Sequence, residues 1–417
     1  MALATVEDIR THFPALQRLH GSHQVAYFDG PGGTQVPSPV PIAIADYLFH
    51  RNSNAHWAFP TSAETDRVRH QAREAMADFL GGKAEEMIFG QNMTTLTYQL
   101  SRALGREMGA GDEVIVTELD HHANVDPWKA LKKEREVTVR TVPLIPESGT
   151  LDLERYAELL NPNTRLVALG AASNILGTIT DIEPLAEMAR EVGARVFVDA
   201  VHMAPHRRIQ VRDLGCDFLA CSPYKFYGPH LGVLWIKSEV LADLDVPKLS
   251  PAPNVGPERF ESGTINSEGM AGATAAVDFL AGLAGPGYAS RVEKLDAFFS
   301  ELQLREGALL TRLWKGLESI PGIKLYGPRP SENRAPTVSF TVKGRVARDV
   351  SSSLANEFGA FLSHGDFYAS TVVHRLGLTE EGMVRAGVSL YTTEEEVDRV
   401  IEGLASMADG VSQAFGY

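Results

Sequence analysis

The sequence contains very little cysteine. Only two of its 417 residues are cysteines, Cys216 and Cys221, and both lie in the apolar segment CDFLACS. A framework of disulfide bonds, which stabilises many small secreted proteins, is therefore excluded. We expect the chain to reside in a reducing compartment, the cytoplasm.

The sequence also lacks long apolar runs and an excess of positive charge. No apolar segment is long enough to span a membrane, and the first residues, MALATVEDIRTHFPAL, include acidic side chains and no apolar signal-peptide core. The 39 lysine and arginine residues are outnumbered by 53 aspartate and glutamate residues, which gives a formal net charge of −14. We therefore expect neither a membrane nor a nucleic-acid partner.

What the sequence does contain is an alternation of strand-like and helix-like segments. Apolar, β-branched segments predict strands at 87–90, 113–117, 138–143, 166–171, 195–199, 217–222 and 232–236. Amphipathic segments predict helices at 95–105, 126–136, 153–160 and 182–193. This alternation is typical of a mostly parallel sheet that is covered by helices on both faces. The predicted fold class is therefore α/β, with a seven-stranded sheet.

The pattern changes near residue 285, where GPGYASRV leads into a long amphipathic segment. The later segments predict helices at 291–320, 351–357 and 394–408 and strands at 324–326, 337–342 and 383–390. This mixture predicts a smaller α+β domain. We divide the chain into an N-terminal segment that packs with the small domain, a large domain and the small domain, namely 1–25, 26–285 and 286–417.

An acid and a lysine follow neighbouring predicted strands. Asp199 ends the apolar segment ARVFVD, and Lys225 lies in the connection SPYKFYGPHLG. Because the carboxyl ends of parallel strands border one crevice, we expect both side chains to face it. Pyridoxal phosphate requires a lysine for a Schiff base and a carboxylate that keeps its pyridine nitrogen protonated. The alternatives are a capping role for the acid and a snorkelling role for the lysine.

A phosphate group needs its own binding site. Thr94 and Thr95 stand where the helix after the strand MIFG is predicted to begin, and Ser222 precedes the lysine by three residues. Backbone N–H groups and hydroxyls at the start of a helix bind anions well. An ordinary threonine cap is the alternative.

Two adjacent histidines, His121 and His122, follow the strand EVIVT. Neighbouring side chains diverge in most backbones, and no further ligand stands at metal-binding spacing, so we predict no metal site. An imidazole that stacks on the cofactor ring is the functional interpretation, and a hydrogen-bonded loop histidine is the alternative.

Several motifs together resemble one family. They are YFDGPGGTQVP, DHHANVDPW, SNILG, VDAVHMAPHRRIQVRDLGCDFLACSPYKFYGP, RFESGTIN and VRAGVSLYTTEEEVDRV. The set resembles enzymes of the class V aminotransferase fold, especially the cysteine desulfurase and selenocysteine lyase branch. The resemblance implies a fold-type I homodimer whose large domain, 26–285, binds pyridoxal phosphate.

The resemblance also implies roles for individual residues. Catalytic roles fall to Lys225, Asp199 and His121, and cofactor contacts fall to Thr94, Thr95, Ser222, Asn174, His202 and Tyr224. Thr264 matches a residue that reaches the phosphate of the other subunit. Arg385 and Asn174 match residues that hold the α-carboxylate of an amino acid substrate, a task for which the planar arginine side chain is suited.

The chain departs from that branch at three places. Its desulfurases carry a loop cysteine that takes the sulfur as a persulfide, whereas the matching segment here, FLSHGDFYASTVVHRLG at 361–377, has none. His202 stands in place of a glutamine, and Tyr224 in place of a histidine. In the changed segment His364 and Asp366 are candidates for handling the leaving group.

We therefore expect a pyridoxal-phosphate lyase that breaks the C–S bond of L-cysteine or an S-substituted cysteine by α-proton removal and β-elimination. One alternative is a class V aminotransferase, epimerase or decarboxylating enzyme with another amino acid substrate. A cofactor-binding regulatory protein without catalytic activity is the other. The sequence leaves open whether a sulfur-acceptor protein exists.

Overall fold

The structure is a computed structural model that describes residues 4–378 and 382–414. Its α-helices are α1 (Val6–Thr11), α2 (Pro39–His50), α3 (Pro60–Leu80), α4 (Met93–Leu104), α5 (Asp126–Arg135), α6 (Leu153–Leu159), α7 (Ile182–Glu191), α8 (Ser238–Asp243), α9 (Ser267–Gly282), α10 (Arg291–Glu318), α11 (Ala347–Phe358), α12 (Ser370–Arg375) and α13 (Glu394–Ala414). Its first strands are β1 (Leu19–His20), β2 (His23–Gln24), β3 (Ala26–Tyr27), β4 (Met87–Gly90), β5 (Glu113–Thr117), β6 (Thr138–Val142), β7 (Leu144–Ile145), β8 (Thr150–Leu151) and β9 (Thr164–Gly170). The remaining strands are β10 (Arg195–Asp199), β11 (Phe218–Cys221), β12 (Gly232–Ile236), β13 (Ile323–Tyr326), β14 (Thr337–Val342), β15 (Ala360–Phe361), β16 (Ser363–Gly365) and β17 (Met383–Gly387).

A seven-stranded sheet has the strand order β4-β12-β11-β10-β9-β5-β6. Strand β12 runs antiparallel to both of its neighbours, and the other pairings are parallel. The α/β fold with a mostly parallel sheet is therefore confirmed.

Both faces of the inner strands of this sheet are buried, whereas the edge strand β6 is mostly exposed. Side chains alternate between the two faces. In β10, Val196 and Val198 pack with one core cluster, whereas Phe197 packs with another. Helices α4 and α5 cover the face of Phe197, for example through Leu100 and Trp128. Strands that are buried on both sides must be apolar throughout, which explains why these segments read as short, continuous apolar runs.

The small antiparallel sheet has the order β13-β14-β17-β16. Helices α10, α11 and α13 contribute to its core, as do Ala26 and Phe28 near the start of the chain. Strand β17 is shorter than predicted because the chain turns away after Gly387, where Pro31 packs so closely that any side chain would clash. This glycine also forms a bridge to Asp29, so the small sheet contacts the segment that borders the large one.

The N-terminal segment contacts residues of both predicted domains. Arg10 donates to the carbonyl of Tyr391 over 2.6 Å and forms an ion pair with Glu396 at 2.9 Å. The ring of Phe13 packs edge-on against Phe279 and Tyr391. The division into 1–25, 26–285 and 286–417 stays a prediction. Within the described ranges, no helix is long and apolar enough to cross a membrane.

Candidate active site

A cavity of about 950 Å³ opens at the carboxyl ends of the parallel strands, next to the small sheet. All but one of the residues that the sequence predicts for the site line it. These are Thr94, Thr95, His121, Asn174, Asp199, His202, Ser222, Tyr224, Lys225, His364, Asp366 and Arg385. The exception is Thr264, which is exposed and lies outside the cavity of its own chain.

Lys225 lies in a single 3₁₀ turn, Pro223–Lys225, between β11 and β12. Its amine donates to the backbone carbonyls of Pro31 and Gly32, the latter at 2.9 Å. Burial, reinforced by the positive charge of Arg385, lowers the pKa of this amine to about 7. A substantial fraction of the lysine is therefore neutral near pH 7, which is the nucleophilic and basic form.

Asp199 ends β10 and is 8% exposed. One of its oxygens accepts the backbone N–H of Val201 at 2.9 Å, so it orders the turn that follows rather than capping a helix. Burial raises its pKa to about 6, whereas this hydrogen bond and the charge of Lys225 oppose the increase. A buried carboxylate with one free oxygen can pair with a protonated ring nitrogen.

A second buried acid, Asp120, lies beside Asp199. Gly170, the residue paired with Asp199 in the sheet, leaves room for Asp120, because a side chain there would collide with the Asp120 carboxylate. Asp120 accepts a hydrogen bond from Thr117 at 2.8 Å. Burial, together with the negative charge of Asp199, raises the pKa of Asp120 to about 8, so Asp120 is largely neutral at pH 7.

Helix α4 begins at Met93 and points its N-terminus into the cavity. The helix cap is Asn92, whose side chain accepts from the backbone N–H of Thr95, so the threonine-cap alternative is wrong. Thr94 and Thr95 are exposed to the cavity, and the hydroxyl of Ser222 accepts the N–H of Met93 at 3.1 Å. This combination of N–H groups and hydroxyls suits a phosphate.

His121 follows β5 and holds its ring with a hydrogen bond from the backbone N–H of Ala123 to its Nδ1, 3.0 Å long. Burial, then the charges of Lys225 and His122, lower the pKa of His121 to about 4. The imidazole is therefore neutral and suited to stacking. His122 also borders the cavity, and its Nδ1 contacts Asp126 at 3.1 Å. Among the described residues, no cluster of histidine, cysteine and acidic side chains could hold a metal ion.

His202 is 3% exposed, and its Nε2 contacts the hydroxyl of Thr337 at 2.9 Å. Burial holds the pKa of His202 well below its usual range, and the neighbouring His206 adds to the effect. His206 in turn pairs with buried Glu306 at 3.0 Å. His202 therefore presents a neutral imidazole to the cavity.

Arg385 lies on β17 and is 3% exposed. Its guanidinium donates to the carbonyl of Asn174 at 2.9 Å and to the hydroxyl of Ser363 at 3.2 Å. It also lies 3.5 Å from Asp29, and the ring of Phe367 covers its face with a centroid distance of 4.0 Å. The charge is thus fixed at the wall of the cavity, where a substrate carboxylate could meet it.

The segment 361–377 is not an irregular loop, because it contains β16 and α12. The turn between them carries Asp366, Phe367 and Tyr368 into the cavity. Asp366 and His364 are both exposed, and a carboxylate oxygen of Asp366 accepts the N–H of Tyr368 at 3.1 Å. Their role in handling a leaving group stays a prediction.

The ring of Tyr224 contacts both His230 and Lys225. Its ring stacks on His230 at 5.0 Å with an interplanar angle of 15°. The Lys225 amine lies 5.0 Å from the centre of the same ring. Tyr224 therefore shapes the space around the lysine.

Sequence reasoning missed several residues that line the cavity. They are Asp29, Tyr98, Asp120, His230, Phe367 and Tyr368. Asp29 lies in the motif YFDGPGG, and Asp120 is the first residue of DHHANVDPW, so both positions had a sequence signal. Phe367 and Tyr368 lie in the segment 361–377, but their left-handed backbone conformation is rare for aromatic residues. Nothing in the sequence therefore indicated that they turn into the cavity.

The structure by itself shows that these residues fit pyridoxal phosphate. A lysine of lowered pKa, a buried carboxylate with a free oxygen, a neutral imidazole and an open helix N-terminus surround one cavity. Each of them matches one chemical group of the cofactor, namely aldehyde, ring nitrogen, ring face and phosphate.

Comparisons with known proteins agree with this site. A cysteine desulfurase of Serratia proteamaculans is 32% identical over 96% of this chain and 97% of its own length. A probable cysteine desulfurase of Halobacterium salinarum is 33% identical over 95% of each chain. The apo structure of a cysteine desulfurase from Thermococcus onnurineus superposes with a TM-score of 0.87 at 28% identity, covering 98% of this chain and 100% of that one.

The family assignment covers most of the sequence. Residues 26–400 match the aminotransferase class-V family, and its cysteine desulfurase members are similar to this chain over nearly its whole length. The chain belongs to the class-V aminotransferase family of pyridoxal-phosphate enzymes.

Proposed function

We propose that the chain is a C–S lyase that converts L-cysteine or an S-substituted cysteine, with water, into pyruvate, ammonia and sulfide or a thiol. The observation that carries this proposal is the composition of one cavity, which holds Lys225, Asp199 and Arg385 but no cysteine. The similarity to cysteine desulfurases supports the choice of substrate class.

The residues can divide the task between them. Bound pyridoxal phosphate supplies an electron sink that stabilises negative charge at the α-carbon of the amino acid. Asp199 would hold the proton of the ring nitrogen, and His121 would cover the ring. Arg385 fixes the α-carboxylate, which orients the α-hydrogen towards Lys225. The neutral amine of Lys225 removes that proton, as general bases near neutral pKa do.

The two cysteines of the chain favour elimination over desulfuration. Cys216 and Cys221 are buried, and burial raises the pKa of both thiols far above the usual value. A thiol attacks sulfur as the thiolate, so burial disfavours both cysteines as acceptors of sulfur. Elimination needs no such acceptor and no reductant, because the products balance with water alone.

We predict that the double variant C216A/C221A keeps its rate of pyruvate formation per mole of folded enzyme. Each substitution removes one buried sulfur atom and lowers the free energy of unfolding by about 1 kcal/mol. Steady-state product assays and thermal melts measure the two effects. A loss of turnover in a variant that still folds and retains its cofactor would show that one thiol takes part in the chemistry.

We also propose a homodimer in which Thr264 reaches the phosphate site of the partner subunit. Thr264 is exposed and lies three residues before the start of α9, which packs against α2. Large apolar side chains are exposed on α2 and in the segments 51–59 and 244–256, namely Ile42, Phe49, Trp57, Leu249 and Val255. Exposed apolar surface is typical of an interface between subunits.

If the homodimer forms in this way, two variants should have different effects. F49D places a charge on the apolar surface and should yield a monomer with poor cofactor retention. T264A should keep the dimer but weaken cofactor binding about tenfold, the loss expected for one hydrogen bond to a charged group. T264S, which keeps the hydroxyl, is the control. Light scattering and cofactor dialysis measure both quantities, and wild-type retention in T264A would contradict the role of Thr264.

A further inference from the structure

Two consecutive aromatic residues in the turn 366–369 adopt an unusual backbone conformation. Phe367 and Tyr368 both have φ of 56°, in the left-handed region that side chains other than glycine rarely occupy. Such residues cost about 1–3 kcal/mol each and persist only where the surroundings hold them. Contacts of the surrounding structure must therefore fix this turn.

Those contacts tie the turn to the two sides of the site. The side chain of Asn174 donates to the carbonyl of Phe367 at 2.9 Å, and the backbone N–H of His122 donates to the carbonyl of Tyr368 at 2.8 Å. Within the turn, Asp366 accepts the N–H of Tyr368. The turn is thus anchored to the segments that carry Asn174 and His121.

The side chains of the turn contact the same two sides of the site. The ring of Phe367 lies on the guanidinium of Arg385, with a centroid distance of 4.0 Å. The ring of Tyr368 contacts His121, with a centroid distance of 5.5 Å. The turn therefore spans from the residue that would hold the α-carboxylate to the residue that would cover the cofactor ring.

In the proposed lyase, Arg385 would hold the carboxylate of an amino acid substrate, and the cofactor ring would lie against His121. The β-substituent of the substrate would then lie next to the turn that connects these two residues. Tyr368 retains 74% of its surface exposed, so its ring is free to contact a ligand, and Tyr98 lines the same cavity. The space for the β-substituent is bordered by aromatic rings on a rigid backbone.

We propose that Phe367 and Tyr368 determine substrate specificity, and that they favour a cysteine whose sulfur carries an apolar or aromatic substituent. This inference rests on the proposed lyase function and names its substrate class. The substituent leaves with its sulfur as a thiol: the C–S bond breaks, the thiolate takes up a proton, and water converts the remaining fragment into pyruvate and ammonia. No oxidant or reductant is needed.

The test compares S-benzyl-L-cysteine with L-cysteine in the holoenzyme. We expect kcat/KM to be about tenfold or more higher for the benzyl compound, within the range that apolar pockets achieve per added group. The variant Y368N removes the ring but accepts the left-handed backbone, since asparagine adopts it readily. We expect this ratio to fall about tenfold in Y368N and to be retained in Y368F, which keeps the ring.

A binding measurement separates recognition from turnover. Calorimetry with α-methyl-S-benzyl-L-cysteine and α-methyl-L-cysteine, which lack the α-hydrogen, should give the same order of affinities and the same loss in Y368N. An equal or higher kcat/KM for L-cysteine in the wild type, or an unchanged ratio in Y368N, would overturn the specificity proposal alone. Absence of pyruvate from both substrates would overturn the lyase function, and the specificity proposal with it.

Discussion

Replacing Lys225 with alanine is expected to abolish turnover, with a loss of about 10⁴-fold or more, because general base catalysis alone contributes about 10²–10⁴-fold. The variant should also fail to attach pyridoxal phosphate covalently. Borohydride reduction followed by mass spectrometry of peptides should place the cofactor on Lys225 in the wild type and on no residue in K225A.

The exposed Lys237, which follows β12, offers a matched control. K237A should keep both the covalent cofactor and the activity. Normal turnover in K225A, or a cofactor adduct on another lysine, would contradict the role given to Lys225.

The environment of Lys225 predicts that the rate of cofactor attachment depends on pH. Burial and the charge of Arg385 lower the pKa of the amine to about 7, although Asp29 and Asp199 oppose the shift. Only the neutral amine reacts with an aldehyde, so cofactor attachment to the apoprotein should accelerate as the pH rises towards 7 and level off above it. A rate that still rises up to about pH 10 would indicate an ordinary lysine.

The second large effect is expected for Arg385. R385L should lower kcat/KM for L-cysteine by about 10²–10³-fold, because removal of one partner from a buried charged pair costs about 2–5 kcal/mol. R385K keeps the charge but not the planar, bidentate geometry, and should recover only part of this loss. Steady-state kinetics of the three proteins measure the series.

L-cysteinamide, which lacks the α-carboxylate, identifies the cause of the loss. The wild type should use it poorly, and R385L should lose little further activity towards it. An equal loss for cysteine and its amide would show that Arg385 acts on the structure of the site and not on the carboxylate. The melting temperatures of the variants provide the matching control for folding.

The inner strands of the central sheet could be predicted closely because they are buried on both faces. Strands β5, β10 and β12 have the predicted bounds, since an apolar, β-branched run leaves little choice of ends. The direction of β12 could not be predicted, because alternation along the chain says nothing about the connection from β11. Helix α4 begins two residues earlier than predicted because Asn92, and not a threonine, caps it.

The functional residues that follow the ends of strands, such as Asp199 and Lys225, could be predicted from the sequence. A contact between distant segments was not predictable. Asp29 and Arg385 each lie in a motif, but their approach to each other depends on the bridge between the start of the chain and β17. The turn at Phe367 and Tyr368 was hidden because left-handed aromatic residues depend on tertiary contacts and have no local sequence signature.

The most direct test of the lyase function is a product assay with the purified holoenzyme and L-cysteine, scoring sulfide, pyruvate and alanine together. Elimination predicts equal amounts of sulfide and pyruvate, no alanine, and rates that do not depend on added reductant. Sulfide accompanied by alanine in equal amounts, formed only with reductant, would contradict elimination and establish desulfuration despite the missing loop cysteine.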